Sequence, residues 1–300
     1  VVEPFSTLAV NNPRRLTVSG DVLYASLGTA VVSLPLASDG SLPAQTTAST
    51  AESILASPME ILVRNGILYV AMSGLSEIQA YDLDSAGHVG EDTLSTSGGS
   101  FRNYRTLATY GDYMYAAARG SFTIDTYIIQ SDGSLPETFE TQLPMPAITM
   151  PDDITIDNGT IYTVDQNNER IKAYIIQSDG LLPSSANSKT EAAERYTDLL
   201  ISGGRLYATA YSAGRIDMYL LEDDGSLPSG PPVASTHADT ATFPSALAFS
   251  EAVIYVAQAG LGRVDAYLTG ANGSPGSFPS SSTRAVAGSF PTDIEIYTLP

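Results

Sequence analysis

The sequence predicts an all-β chain built from repeated four-stranded units. Three observations lead there: a near-duplicate decapeptide, a tyrosine that recurs at a fixed period, and Asx-Gly turns in register with it. "YIIQSDGSLP" occupies Tyr127–Pro136 and "YIIQSDGLLP" Tyr174–Pro183, 47 positions apart. Near-identity at that separation is the mark of a duplicated structural unit.

The tyrosine of "LYAS", Tyr24, serves as a ruler. Its equivalents are Tyr69, Tyr115, Tyr162, Tyr207 and Tyr255, at steps of 45, 46, 47, 45 and 48 residues. Eleven residues before each ruler begins an apolar run: "PRRLTV", "PMEILV", "YRTLAT", "PDDITI", "YTDLLI" and "PSALAF". Twelve residues after the ruler stands a second aromatic, Tyr81, Tyr127, Tyr174, Tyr219 or Tyr267; the shorter first unit has Leu34 instead. Five residues further on comes Asp39, Ala86, Asp132, Asp179, Asp224 or Asn272, each followed by glycine.

Each element follows from its residues. The first strand is apolar and ends in a tight turn such as "RNG" or "DNG", whose Asn-Gly suits the left-handed backbone of a two-residue hairpin. The second carries the ruler. The third alternates at period two, as in "RIDMYLL". Asp-Gly then turns into a fourth, Ser/Thr-rich strand, as expected at a solvated outer edge. Four strands per 45–48 residues is the signature of a β-propeller. The fold expectation is one propeller domain over residues 1–300, with the ruler tyrosines Tyr69, Tyr115, Tyr162, Tyr207 and Tyr255 buried at equivalent places between blades.

Blade number is the open point. Six complete repeats fill residues 13–290. Residues 1–10, "VVEPFSTLAV", match an outer strand, and Pro291–Pro300, "PTDIEIYTLP", an inner one. Complementary pieces favour seven blades, the last incomplete; six blades is the alternative. The incomplete blade leads to an expectation of self-association or peptide complementation at Val1–Val10 and Pro291–Pro300. The added strand would come from a peptide upstream of Val1 or from a neighbouring chain. The chain starts without Met and reads as a processed or truncated product.

Composition narrows function. The formal net charge is −19 and only two lysines occur, Lys172 and Lys189, which argues against nucleic acid as a partner. No apolar run reaches the roughly 18 residues of a membrane span. Without cysteine there are no disulfides and no thiolate metal sites. Two sequons, Asn158-Gly-Thr and Asn272-Gly-Ser, fit an extracellular, secreted protein.

The pattern "IYV…RVDAY…NG", with "YIIQSDGSLP" and "LYVAMSGLSEIQAYDLDSAG", resembles the seven-bladed lactonase family, which includes 6-phosphogluconolactonase-like proteins and fungal carboxymuconate cyclases. The ending "GSFPTDIEIYTLP" is similar to that family's closing inner strand. The resemblance implies a lactonase or cycloisomerase ancestry, with His, Arg and Glu near the channel.

Candidate chemistry lies at the starts of the first strands, which a propeller gathers at one channel mouth. Two positions into these strands stand Arg15, Glu60, Thr106, Asp153, Asp198, Ala246 and Asp293; Arg14, Arg105 and Asp152 lie one position in. Glu60, Asp153, Asp198 and Asp293 are candidate ligands for calcium. Arg15, Arg105, Glu60 and Asp153 are the weak catalytic candidates. Arg15, Glu60, Arg105, Asp152, Asp153, Asp198 and Asp293 together are the candidate binding set. Asp residues that merely cap turns and pair with arginine are the plainer reading. Of two histidines, His88 follows a third-strand turn and His237 lies in an outer strand, so neither maps to the channel. Arg170, Arg215 and Arg263, at one shared position, form a rim or pair with acids between blades. The readings left open are a non-catalytic secreted propeller that binds or assembles by strand addition, an active lactonase or cycloisomerase, and a calcium-binding propeller.

Overall fold

The computed structural model describes residues 13–43, 48–49, 57–144, 150–286 and 288–297. They form six four-stranded antiparallel sheets, each with its strands in sequence order. Blade 1 is β1 (Arg15–Ser19), β2 (Val22–Ser26), β3 (Val31–Pro35) and β4 (Ala48–Ser49). Blade 2 is β5 (Pro58–Arg64), β6 (Ile67–Met72), β7 (Glu77–Leu83) and β8 (Val89–Gly98). Blade 3 is β9 (Tyr104–Tyr110), β10 (Tyr113–Ala118), β11 (Thr123–Ile128) and β12 (Thr141–Pro144). Blade 4 is β13 (Pro151–Asp157), β14 (Thr160–Asp165), β15 (Arg170–Ile175) and β16 (Ser188–Lys189), with a 3-10 turn at Gln166–Asn168. Blade 5 is β17 (Tyr196–Ser202), β18 (Arg205–Ala210), β19 (Arg215–Leu220) and β20 (Ala234–Ser235). Blade 6 is β21 (Pro244–Ser250), β22 (Val253–Gln258), β23 (Arg263–Leu268) and β24 (Ser281–Ser282). The chain divides into two compact units: blades 1–3 with Tyr297 form one, and blades 4–6 with the segment up to Ile296 form the other.

The described residues thus carry six blades, the alternative count, and not the favoured seven. The expected seventh inner strand is the point of departure: residues 291–297 pair with no strand. Their ends are nevertheless held. Ser245 Oγ donates to the Pro291 carbonyl at 2.7 Å, as Thr197 Oγ1 does to the Pro244 carbonyl one blade earlier at 3.4 Å. Tyr297 donates its hydroxyl proton to Asp21 at 2.8 Å. The expected outer strand at Val1–Val10 lies outside the described residues.

The core sits between blades, and alternation explains it. One face of a blade's second and third strands packs against the first three strands of the next. Tyr162, Val164, Ile171 and Ala173 of blade 4 thus meet Tyr196, Leu199, Leu206, Ala208 and Tyr219 of blade 5. A buried side chain of this size contributes roughly 1.5–3 kcal/mol.

The ruler tyrosine also does something that periodicity alone did not reveal. Its hydroxyl donates to the carbonyl of the turn glycine in the following blade: Tyr24 to Gly87 at 2.9 Å, Tyr69 to Gly133 at 2.6 Å, Tyr162 to Gly225 at 2.5 Å and Tyr207 to Gly273 at 2.9 Å. Those glycines sit at φ of +78°, +85°, +79° and +78°. A Cβ on Gly133 would lie 2.5 Å from Ile67, so both the backbone conformation and the close approach require glycine there. The residue before each glycine closes the turn where it is Asp or Asn, as when Asp132 accepts from the Ser134 amide at 2.9 Å.

Blade 6 departs from the pattern. In blades 1, 2, 4 and 5 the ruler tyrosine is at most 1% exposed, as are its third-strand companions, such as Ile216 and Met218 in blade 5. In blade 6 the equivalents Tyr255, Val264 and Ala266 are all partly exposed. The expectation of equal burial is corrected for Tyr255, whose hydroxyl meets no turn-glycine carbonyl among the described residues.

Candidate functional site

The first-strand starts are placed by a shared irregularity. The register slips at the beginning of β5, β13, β17 and β21, where a bulge interrupts pairing with the second strand. In blades 4 and 5 the preceding carboxylate answers it. Asp153 Oδ2 accepts from the Leu199 amide of blade 5 at 2.9 Å, and Asp198 Oδ2 accepts from the Leu247 amide of blade 6 at 2.8 Å. Leu199 is 6% exposed, so its amide needs a protein acceptor. Asp153 and Asp198 therefore point between blades, which corrects the expectation that both project into the mouth.

In the unit of blades 1–3, three residues share the first position after a strand start: Arg14, Met59 and Arg105. Both guanidiniums reach the Met59 thioether, Arg14 Nη1 at 2.8 Å and Arg105 Nη1 at 3.6 Å from Sδ. One residue further in, Arg15 Nε lies 3.5 Å from Glu60 Oε2. Glu60 Oε1 also accepts from the Ile61 amide at 3.0 Å. Arg15, Glu60 and Arg105 are thus gathered on one short stretch of three neighbouring strands, with Arg14 alongside.

In the unit of blades 4–6, Asp152 accepts from Gln166 Nε2 at 2.6 Å. The Gln166 carbonyl oxygen accepts in turn from Arg195, whose Nη2 is at 2.9 Å and Nε at 3.3 Å. Beside Arg195, Tyr211 and Phe243 pair their rings at 5.1 Å. Asp293 is partly buried in the terminal segment. Among the described residues no group of three or more His, Asp or Glu side chains comes together in a way that could hold a metal ion.

Sequence reasoning missed Met59, Gln166 and Arg195. Met59 was legible as the third member of the Arg14 and Arg105 position, but an apolar residue there drew no attention. Arg195 stands one place before a strand start, outside the two offsets considered. Gln166 acts from the loop between second and third strands. Also unforeseen is a crevice of about 440 Å³ at the opposite ends of the strands, lined by Arg64, Tyr69, Asp112 and Asp132 among others.

Two of the rim arginines pair with an acid two residues along their own strand, and Arg215 Nη1 also reaches Glu194, in the loop before β17, at 3.1 Å. Arg215 holds Asp217 at 2.7 and 3.2 Å, and Arg263 holds Asp265 at 2.7 and 3.1 Å. Arg170 Nε donates to the Asn168 carbonyl at 3.2 Å. The acids they hold are buried, and Asp217 also accepts from the Tyr196 hydroxyl at 2.9 Å. Blade 3 repeats that bond between Tyr104 and Asp125 at 2.8 Å. Burial raises the Asp125 carboxyl above its ordinary range, against the lowering pull of its hydrogen bonds from Tyr104 and Thr123.

The histidines stay away from the strand starts. His88 sits exposed at the turn between β7 and β8, with Nδ1 3.0 Å from Asp84 Oδ2. His237 is exposed beside the Phe278 ring at 5.0 Å. Both sequon asparagines are exposed on turns, Asn158 between β13 and β14 and Asn272 after β23. Among the described residues no helix is long and apolar enough to cross a membrane.

No protein-family model matches the chain, and no curated protein matches it. Solved structures do. The chain superimposes on the periplasmic gluconolactonase PpgL of Pseudomonas aeruginosa with TM-score 0.82 at 14% identity, covering 100% of this chain and 92% of that one. A protein from Lactobacillus plantarum gives TM-score 0.80 at 13% identity, covering 97% and 90%. A candidate 6-phosphogluconolactonase from Bacteroides fragilis gives 0.74 at 15%, covering 95% and 84%. At such identities the likeness is one of fold alone: the chain is an all-β propeller of four-stranded blades. Site residues do not transfer with it.

Proposed function

We propose that this chain is a secreted, non-catalytic propeller that binds a small organic anion at the first-strand ends of blades 1–3. The observation that carries the reading is the convergence of Arg14 and Arg105, from two different blades, on Met59, with Arg15 alongside. Guanidinium groups held at neighbouring positions suit a carboxylate or phosphate, which they bind by charge-assisted hydrogen bonds. The gluconolactonase named among the structural neighbours suggests the ligand class: sugar acids such as gluconate and 6-phosphogluconate. His88, the histidine of the same unit, sits at the turn between β7 and β8 bonded to Asp84, which supports binding over lactone hydrolysis or cyclisation. The periplasmic location of the Pseudomonas neighbour and the exposed Asn158 sequon support an extracellular setting.

Calorimetric titration tests this. Gluconate or 6-phosphogluconate is expected to bind where glucose does not, and binding is expected to vanish in Arg14→Gln/Arg105→Gln. Gluconolactone turnover above the spontaneous rate, lost in Glu60→Gln, would overturn the non-catalytic reading in favour of a lactonase. A melting midpoint raised by calcium would overturn the anion reading in favour of a cation site.

A second reading rests on blade 6. One face of its strands leaves Tyr255, Val264 and Ala266 partly exposed, where four other blades bury the same set. An extended segment of another chain, carrying an Asx-Gly turn whose carbonyl accepts from Tyr255, fits that face. Native mass spectrometry tests it: assembly that weakens in Tyr255→Glu supports strand addition, and a monomer at all concentrations refutes it.

A further inference from the structure

We propose that Met59 is a peroxide-sensitive modification site, and that its sulfoxide is held between Arg14 and Arg105. The proposal deepens the anion-binding reading and in part rests on it. A thioether is a weak acceptor, yet two guanidiniums from flanking blades are aimed at this one, at 2.8 and 3.6 Å. That arrangement is poorly matched to sulfur and well matched to an oxygen carried by the sulfur. Oxidation supplies it. The sulfur lone pair attacks one oxygen of hydrogen peroxide; the S–O bond forms as the O–O bond breaks. The sulfur is oxidised by two electrons, the peroxide is reduced, and the leaving hydroxide takes up the remaining peroxide proton to depart as water. The product's S–O dipole ends in a strong acceptor between two cations.

Access separates Met59 from the methionines buried inside blades. Met72 and Met114 are 0% exposed and Met218 1%, all inside blades, whereas Met59 is partly exposed. Met150 is also partly exposed but has no arginine against its sulfur among the described residues, so it serves as an internal control. Once both guanidiniums hold the sulfoxide oxygen, they are less available to an anion. Oxidation is therefore expected to weaken gluconate binding several-fold, and methionine sulfoxide reductase to restore it.

The test treats the whole chain with graded hydrogen peroxide and follows each methionine by peptide mass mapping, alongside the melting midpoint and gluconate titration. Met59 and Met150 are expected to gain one oxygen well before Met72, Met114 and Met218. The oxidised wild type is expected to keep or raise its midpoint, while oxidised Arg14→Gln/Arg105→Gln falls below its own reduced form. In Met59→Leu, peroxide should leave gluconate affinity unchanged. Met59 oxidising no faster than the buried methionines would overturn the proposal. So would a midpoint change that is the same with and without the two arginines. If gluconate binds neither form but the arginine-dependent midpoint shift appears, the anion-binding reading fails and the modification site stands.

Discussion

Tyr162→Ala is expected to be among the most damaging single substitutions in the chain, and the structure sets the size of the loss. The ring is 0% exposed and packs between blades 4 and 5; its hydroxyl donates to Gly225. Truncating a buried aromatic to alanine costs about 3–5 kcal/mol through lost burial and the cavity left behind. Losing the hydroxyl bond adds about 1 kcal/mol, and Tyr162→Phe isolates that part. The same substitution at Tyr255, partly exposed and bonded to no described group, should cost less. Guanidinium unfolding curves for the four variants Tyr162→Phe, Tyr162→Ala, Tyr255→Phe and Tyr255→Ala provide the assay, read as midpoints at unchanged slope. Equal losses at positions 162 and 255 would refute the claim that the ruler tyrosine stabilises through the next blade. A Tyr162→Phe variant indistinguishable from wild type would refute the hydroxyl's share.

The turn glycines should be equally intolerant: Gly133→Ala faces both φ +85° and a 2.5 Å approach to Ile67, and should lower stability by about 1–3 kcal/mol in the same assay. Asp153→Ala should destabilise by about 1–3 kcal/mol, because the Leu199 amide loses its acceptor in a buried place, while gluconate affinity by calorimetry stays unchanged. Burial pushes the phenols of Tyr162, Tyr174 and Tyr267 up to about 12, so their neutral forms add stability fully present below about pH 10 and lost as pH rises from there toward 12. Absorbance at the tyrosinate band should show this buried set ionising only well above pH 10, or on unfolding. At the acid end, hydrogen bonds from Ser134 and Ser226 hold the exposed Asp132 and Asp224 carboxyls below the ordinary range. Their contribution is present above the unfolded value and lost as pH falls through the lowered ones; a melting midpoint flat down to pH 2 would contradict it.

What the sequence determined by itself was everything that repeats. Six units, their strand order, the inward tyrosine and the Asx-Gly turn all follow from spacing, because each blade faces the same local demands of period-two burial and left-handed turns. Single residues were legible where local geometry was decisive, as with the turn glycines. What repetition could not show was where a side chain goes once another blade stands beside it. Asp153 and Asp198 share an offset with Glu60, yet they bond to the next blade's amides, because a bulge there leaves a buried donor that only a neighbouring strand can satisfy. Arg215 and Arg263 fold back onto buried acids two residues away, where a desolvated carboxylate attracts a cation more strongly than the solvated rim does. Tyr255 fits the repeat in sequence and is only partly buried in structure. Burial is a property of what lies opposite, and for Tyr255 only the tertiary structure decides that.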